Sequence, residues 1–128
     1  LKKCFDLLNS GGFFYAEDLI CRQPFTNDEL SELLTEIYGN HFSDFQTYKS
    51  DIKKVGFNLI ACQDMSDQWN EFTRDRFLSY NQQKDRHLRV QGEEIFNSLN
   101  SFYAFINKYF SSGKLGGIRV IAQKASVI

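Results

Sequence analysis

The residues best suited to chemistry are two histidines, one adjacent pair of carboxylates and a few scattered aromatic side chains. His41 and His87 are the only histidines. A histidine titrates near neutral pH and can take a proton from a hydroxyl or an amine. His41 falls in a loop and is the candidate base; its bland reading is surface histidine. His87 falls in the charged run 84–89, which reads as a solvated helix face or loop. Glu17 and Asp18 are placed at the carboxyl end of a buried strand. In open α/β sheets that edge faces the ligand crevice. There they would hold an amine or hydroxyl, or order a water; the bland reading is a solvated strand end or a helix cap. Tyr15, Phe25, Tyr38, Trp69 and Tyr103 can line a pocket, since aromatic faces attract cationic groups. The competing reading is core packing. Arg119 sits in an otherwise apolar run and reads as the partner of a carboxylate.

Those groups have to be held by helices and strands. Residues 1–8 carry apolar side chains on one helical face, and Asn9-Ser10-Gly11-Gly12 ends that helix. Residues 13–19 are apolar on both faces until Glu17, as in a strand covered on two sides. Thr26-Asn27-Asp28-Glu29 is a capping box. Leu30, Leu33, Leu34 and Ile37 continue it as one helical face, and Gly39-Asn40 stops it. Ser43-Asp44-Phe45-Gln46 starts a further helix by the same capping-box logic, with Phe45, Tyr48, Ile52 and Val55 as its stripe and Gly56 at its end. Residues 57–62 read as a strand. Ser66 is the expected N-cap of a helix over 67–83. Ile95, Leu99, Phe102, Tyr103, Ile106, Tyr109 and Phe110 mark the clearest helix, which Ser111-Ser112-Gly113 closes. The last strand is placed at 115–123. Strands alternating with helices predict an α/β layer architecture. Three strands alone leave sheet borders open, so further chain is expected beside them.

Composition bounds the rest. The 128 residues suit at most one domain, and 42% are hydrophobic, with thirteen Phe, which argues for a packed core over disorder. Fifteen basic and sixteen acidic residues give a net charge of −1, so no nucleic-acid partner is expected. No membrane span and no signal peptide are expected. Cys4, Cys21 and Cys62 are widely spaced, with no CxxC pair and no metal signature, which fits a reducing, cytoplasmic compartment. The chain opens at Leu1 inside a helical pattern, so a trimmed or partial product is expected.

The order and spacing of three segments resemble class I methyltransferases. Leu8-Asn9-Ser10-Gly11-Gly12-Phe13-Phe14-Tyr15-Ala16-Glu17-Asp18 is similar to that family's "LKPGG" turn and fifth strand, with Asn9-Ser10 in place of Lys-Pro. Lys54-Val55-Gly56-Phe57-Asn58-Leu59-Ile60 resembles the entry to the sixth strand, and residues 115–123 resemble the seventh. Gln63-Asp64-Met65-Ser66-Asp67-Gln68-Trp69-Asn70 is similar to the "DLSDYW" run of phosphoethanolamine and related small-molecule N-methyltransferases. Those enzymes also place Tyr and Arg upstream of the sixth-strand helix to hold a substrate phosphate; residues 33–41 supply Tyr38 and no Arg.

The resemblance implies a partial Rossmann-like α/β fold, strands five to seven with cap helices. Residues 1–128 would be the C-terminal, substrate-side part of a methyltransferase domain. It implies S-adenosyl-L-methionine as cofactor, held mainly by segments outside this sequence. It implies methyl transfer to N, O or C of a small-molecule acceptor. Tyr15, Glu17, Asp18, Tyr38 and Trp69 would then be the acceptor-binding residues and His41 the proton acceptor. A homodimer is one option for the assembly. The competing class is a non-catalytic, methyltransferase-like module that binds a partner protein through helix 95–110.

Overall fold

A computed structural model describes residues 1–126 as six helices and three strands. In chain order these are α1 (Lys2–Leu7), β1 (Phe13–Cys21), α2 (Asn27–Ile37), α3 (Phe45–Val55), β2 (Phe57–Asp64), α4 (Ser66–Gln82), α5 (Lys84–Gln91), α6 (Glu93–Ser111) and β3 (Leu115–Lys124). The sheet order is β1-β3-β2, and β3 runs antiparallel to both neighbours. β1 and β2 are therefore parallel to each other and share no backbone pairing, though Phe14 of β1 stacks on Phe57 of β2 with ring centroids 5.3 Å apart. Their outer edges carry no strand partner among the described residues.

Alternation along the strands divides the side chains between two cores. Ile118, Val120 and Ala122 of β3 face α3 and meet Ile20, Ile52 and Phe57, all fully or almost fully buried. Burying each of the larger aliphatic side chains stabilises the fold by about 1.5–3 kcal/mol. Phe5 of α1 packs edge-on against Phe57 in the same layer. β2 needs a bulge to serve this face. Its pairing with β3 shifts register between Leu59 and Ala61, and the inward set changes from Phe57 and Leu59 to Cys62.

The second core lies on the other face, at the end of the sheet where β3 begins. Leu115 joins Leu33, Phe105, Tyr109 and Phe110, with Leu19 and Trp69 against them. α4 and α6 are antiparallel neighbours stitched by polar rungs. Asn81 Nδ2 donates to Asn100 Oδ1 at 2.6 Å, Arg76 Nη2 to the Tyr103 hydroxyl at 3.0 Å, and Asn107 Nδ2 to Thr73 Oγ1 at 3.5 Å. α2 is clamped to the same layer by Lys114 Nζ on Glu29 Oε1 at 2.5 Å and by the Tyr109 hydroxyl donating to Glu32 Oε2 at 2.7 Å.

Several local expectations change. Residues 13–19 are not covered on both faces: Phe13 and Tyr15 are 62% and 59% exposed, because α4 and α6 pack only over the Leu19 end of that face. Ser66 is the first helical residue, not the N-cap. It is buried because its hydroxyl donates to Asp64 Oδ1 and accepts the Gly117 N–H at 3.2 Å. Of the two readings of the charged run 84–89, the helix holds: it forms part of α5, which has no buried residue. α2 ends on Tyr38 itself, which holds a left-handed conformation (φ 56°) one residue before Gly39.

Candidate functional site

Glu17 and Arg119 are direct partners in the β1–β3 ladder, so their side chains emerge together on one face. Arg119 Nε donates to Glu17 Oε1 at 2.9 Å. Tyr15, two residues back on the same face, donates its hydroxyl to that same oxygen. The Tyr15 hydrogen bond, then that of Arg119, holds the Glu17 carboxyl below the usual carboxylate range. The Tyr15 phenol is raised in return, first by its bond to Glu17. Arg119 is thus the carboxylate partner its position suggested, in a half-exposed pair rather than a buried one.

Beside this trio α4 closes on the sheet. Trp69 lies flat on Gly117, where any Cβ would overlap its ring. Ser66 and the Arg22 side chain crowd Gly116 in the same way. The two glycines therefore let a helix and an arginine rest directly on a central strand. The result is a cavity of about 280 Å³ walled by Trp69, Phe72, Ile106 and Phe110, with Leu19 at its floor and Glu17 at its edge. It is an apolar chamber with one ionised carboxylate at the mouth. Such a place suits an organic group that presents a hydrogen-bond donor or a positive charge.

The strand ends form a second cavity of about 490 Å³, lined by Cys21, Arg22, Asp44 and Asp64. Asp44 is the N-cap of α3, and the amide of Thr47, then its hydroxyl, holds the Asp44 carboxyl low. Burial pushes the Cys21 and Cys62 thiols up, which keeps them protonated and poor nucleophiles.

The structure therefore gathers Tyr15, Glu17 and Trp69 and separates the rest. Glu17 and Asp18 are not at the carboxyl end of a parallel strand. β1 continues through Leu19, Ile20 and Cys21, paired with Gly117, Gly116 and Leu115 of an antiparallel neighbour. Successive residues of a strand face opposite ways, so Asp18 turns to the α3 side. There it accepts the Tyr48 hydroxyl at 3.3 Å, and burial, then Asp18, raises that phenol to about 12. Tyr38 stands 86% exposed at the end of α2. His41 lies in the α2–α3 loop, exposed, with Nε2 at 3.2 Å from Ser43 Oγ. The Ser43 carbonyl of that loop accepts the Cys21 N–H, so the loop flanks the end of β1. Phe25 is packed between Phe42 and Tyr109. Tyr103 and His87 both contact Tyr80, His87 stacked on its ring. Arg22 and Asp64, which the sequence pattern does not single out, line the cavity at the strand ends because β1 runs on to Cys21 and β2 two residues beyond 62. The rule about strand ends applies to them, not to Glu17 and Asp18.

No family model matches this sequence, and no curated protein matches it. Solved structures do. Haemonchus contortus phosphoethanolamine N-methyltransferase 2, in complex with phosphomonomethylethanolamine and S-adenosylhomocysteine, superposes with a TM-score of 0.83 at 15% identity, over 98% of this chain and 29% of that one. The cyclopropane synthase MmaA2 from Mycobacterium tuberculosis gives 0.73 at 14% identity, over 96% and 48%. The [4+2]-cyclase SpnF gives 0.63 at 13%, over 98% and 43%. The chain therefore carries part of the Rossmann-like class I methyltransferase fold, and it spans between about three-tenths and half the length of these neighbours.

The described residues do not build a cradle for S-adenosylmethionine. Such a cradle needs open glycine backbone at a helix N-terminus. Gly11 and Gly12 turn into β1, and Gly116 and Gly117 lie inside β3 beneath Ser66, Arg22 and Trp69.

Proposed function

We propose that residues 1–128 form the acceptor side of an S-adenosylmethionine-dependent methyltransferase that acts on a small molecule. The observation that carries this reading is the sheet with its last strand antiparallel between the other two, roofed at one end by the 66–111 helical insertion. The same arrangement superposes on a methyltransferase over 98% of the chain. In the proposed enzyme the methyl donor is held by chain beyond these residues, and this segment binds and shields the acceptor. Trp69, Phe72 and Phe110 exclude water from one side, which favours a desolvated nucleophile. Glu17 accepts a hydrogen bond from an acceptor amine or hydroxyl, and Tyr15, then Arg119, keeps it ionised for that purpose. Asp18 and Tyr38 serve acceptor positions that the Trp69 cavity does not reach, and His41, beside the end of β1, takes the acceptor proton. The setting is the cytoplasm, with a small-molecule acceptor and a homodimer as an option. No helix among the described residues is long and apolar enough to cross a membrane.

Calorimetric titration of the full-length protein with S-adenosylhomocysteine tests the reading. Saturable binding is expected. Absence of binding at several temperatures defeats the enzyme and leaves the partner-binding module. Given binding, Trp69→Ala should lower kcat/KM for methyl transfer by about 10- to 100-fold through lost positioning.

A further inference from the structure

α4 and α6 leave a slot between them, on the side of Phe72 away from the Glu17 cavity. Its volume is about 350 Å³, within the range of small-molecule sites. Phe72, Leu99, Phe102 and Ile106 line it, and Phe72 and Phe102 stay 58% and 41% exposed at its rim. Arg76 is its charged group. The guanidinium carbon sits 4.9 Å from the Tyr103 ring centroid and 5.9 Å from that of Phe72, so two aromatic rings fix its place. One of its five N–H donors goes to the Tyr103 hydroxyl. Among the described residues no carboxylate lies within ion-pair distance of it. The neighbouring cleft past Arg76 is lined by Ser79, Gln83, His87 and Gln91, again without an acid.

We infer that this slot binds an amphiphilic monocarboxylate. The apolar body lies among Phe72, Leu99, Phe102 and Ile106, and the carboxylate takes the remaining donors of Arg76. The charge argument is direct. An arginine fork left without an anion, and with no acidic group lining the slot itself or the cleft past Arg76, is complementary to one. A single planar guanidinium matches a carboxylate, whereas a dianionic phosphate calls for further cations that the slot lacks. The slot also has a direction. Trp69, Phe72, Thr73 and Arg76 recur at helical spacing on one face of α4, and seven residues of helix span about 10 Å. Phe72, Thr73 and Ile106 line both this slot and the Glu17 cavity. A ligand anchored at Arg76 therefore extends toward Trp69. The inference concerns binding alone and goes beyond the methyltransferase reading: a failed transfer assay leaves it standing.

Decanoate, 1-decanol and decyltrimethylammonium, each below its aggregation threshold, are titrated calorimetrically into the full-length protein and into Arg76→Gln and Arg76→Lys variants. Decanoate should bind at least about tenfold tighter than the other two, as a charge-assisted contact implies. Arg76→Gln should remove that preference while leaving decanol within about threefold, and Arg76→Lys should restore part of it. Leu99→Trp should fill the slot and weaken both decanoate and decanol; far-ultraviolet circular dichroism checks its fold. Three results overturn the inference: no decanoate binding, equal binding of decanoate and decanol, or an Arg76→Gln variant that keeps its preference for decanoate. Tighter binding of decyltrimethylammonium overturns it as well.

Discussion

Glu17 accepts from two donors of different kinds, a phenol and a guanidinium, and that fixes how the trio titrates. Its carboxyl is depressed in the folded protein. The stabilisation from the pair is therefore present above the ordinary carboxylate range and is lost as pH falls through the lowered value. Glu17→Gln should abolish this acid limb and bring the Tyr15 phenol back toward its ordinary 10.0. Titration of 13C-labelled tyrosines by NMR reads it; an unmoved Tyr15 resonance counts against the contact. Trp69 gives a second residue-level test. It is the sole tryptophan, and its ring lies on Gly117. Gly117→Ala should cost about 1–3 kcal/mol through overpacking and shift tryptophan emission to the red, both followed in one urea titration. Tyr15, Glu17 and Trp69 were nameable from residue type and spacing, and all three lie at or beside one chamber. Asp18 was not separable from Glu17 without knowing that β1 runs on to Cys21. The glycine pair that seats Trp69 was visible as letters, but its use depends on α4 arriving from elsewhere in the chain.

Among the elements, helix starts were the most legible because caps are local. The Thr26–Glu29 capping box forms as written, with Thr26 N–H on Glu29 Oε1 at 2.9 Å and Glu29 N–H on Thr26 Oγ1 at 3.2 Å. The Ser43–Gln46 box is displaced by one residue: Asp44, not Ser43, caps α3, accepting the Thr47 N–H at 2.7 Å. Features that depend on distant partners were not legible. Nothing in residues 57–62 announces the bulge at Ile60, since it answers the register of β3. Ser66 has the type of an N-cap, yet the backbone of β3 draws it inside. α2 stops at Tyr38 rather than at glycine, which places a bulky side chain in a conformation that costs about 1–2 kcal/mol for an L-residue. Tyr38→Gly should therefore stabilise α2 by up to about 1 kcal/mol, seen as slower amide exchange over 27–37. A loss of stability instead would show that the Tyr38 ring contributes more than its exposure suggests.

At the scale of the molecule, the alternation of helices with apolar strands was legible. Periodicity alone does not say which of three strands is central. β3 takes that place because Gly117 on one face and Gly116 on the other accept close neighbours, while Ile118, Val120 and Ala122 fill the core on the α3 side. It is also hydrogen-bonded on both sides. Its amides should exchange only through global unfolding, whereas residues at the outer edge of β1 exchange through local opening. Hydrogen-exchange mass spectrometry separates the two; equal protection would remove the claim that β3 is the keystone. One consequence concerns manufacture on the ribosome. The strand that joins the other two is the last of the nine described elements to be translated. β1 must wait for about a hundred residues before its partner emerges. Until then its apolar side chains and the edge that β3 will cover stay open, so this stretch of the nascent chain is a client for chaperones while those residues are made.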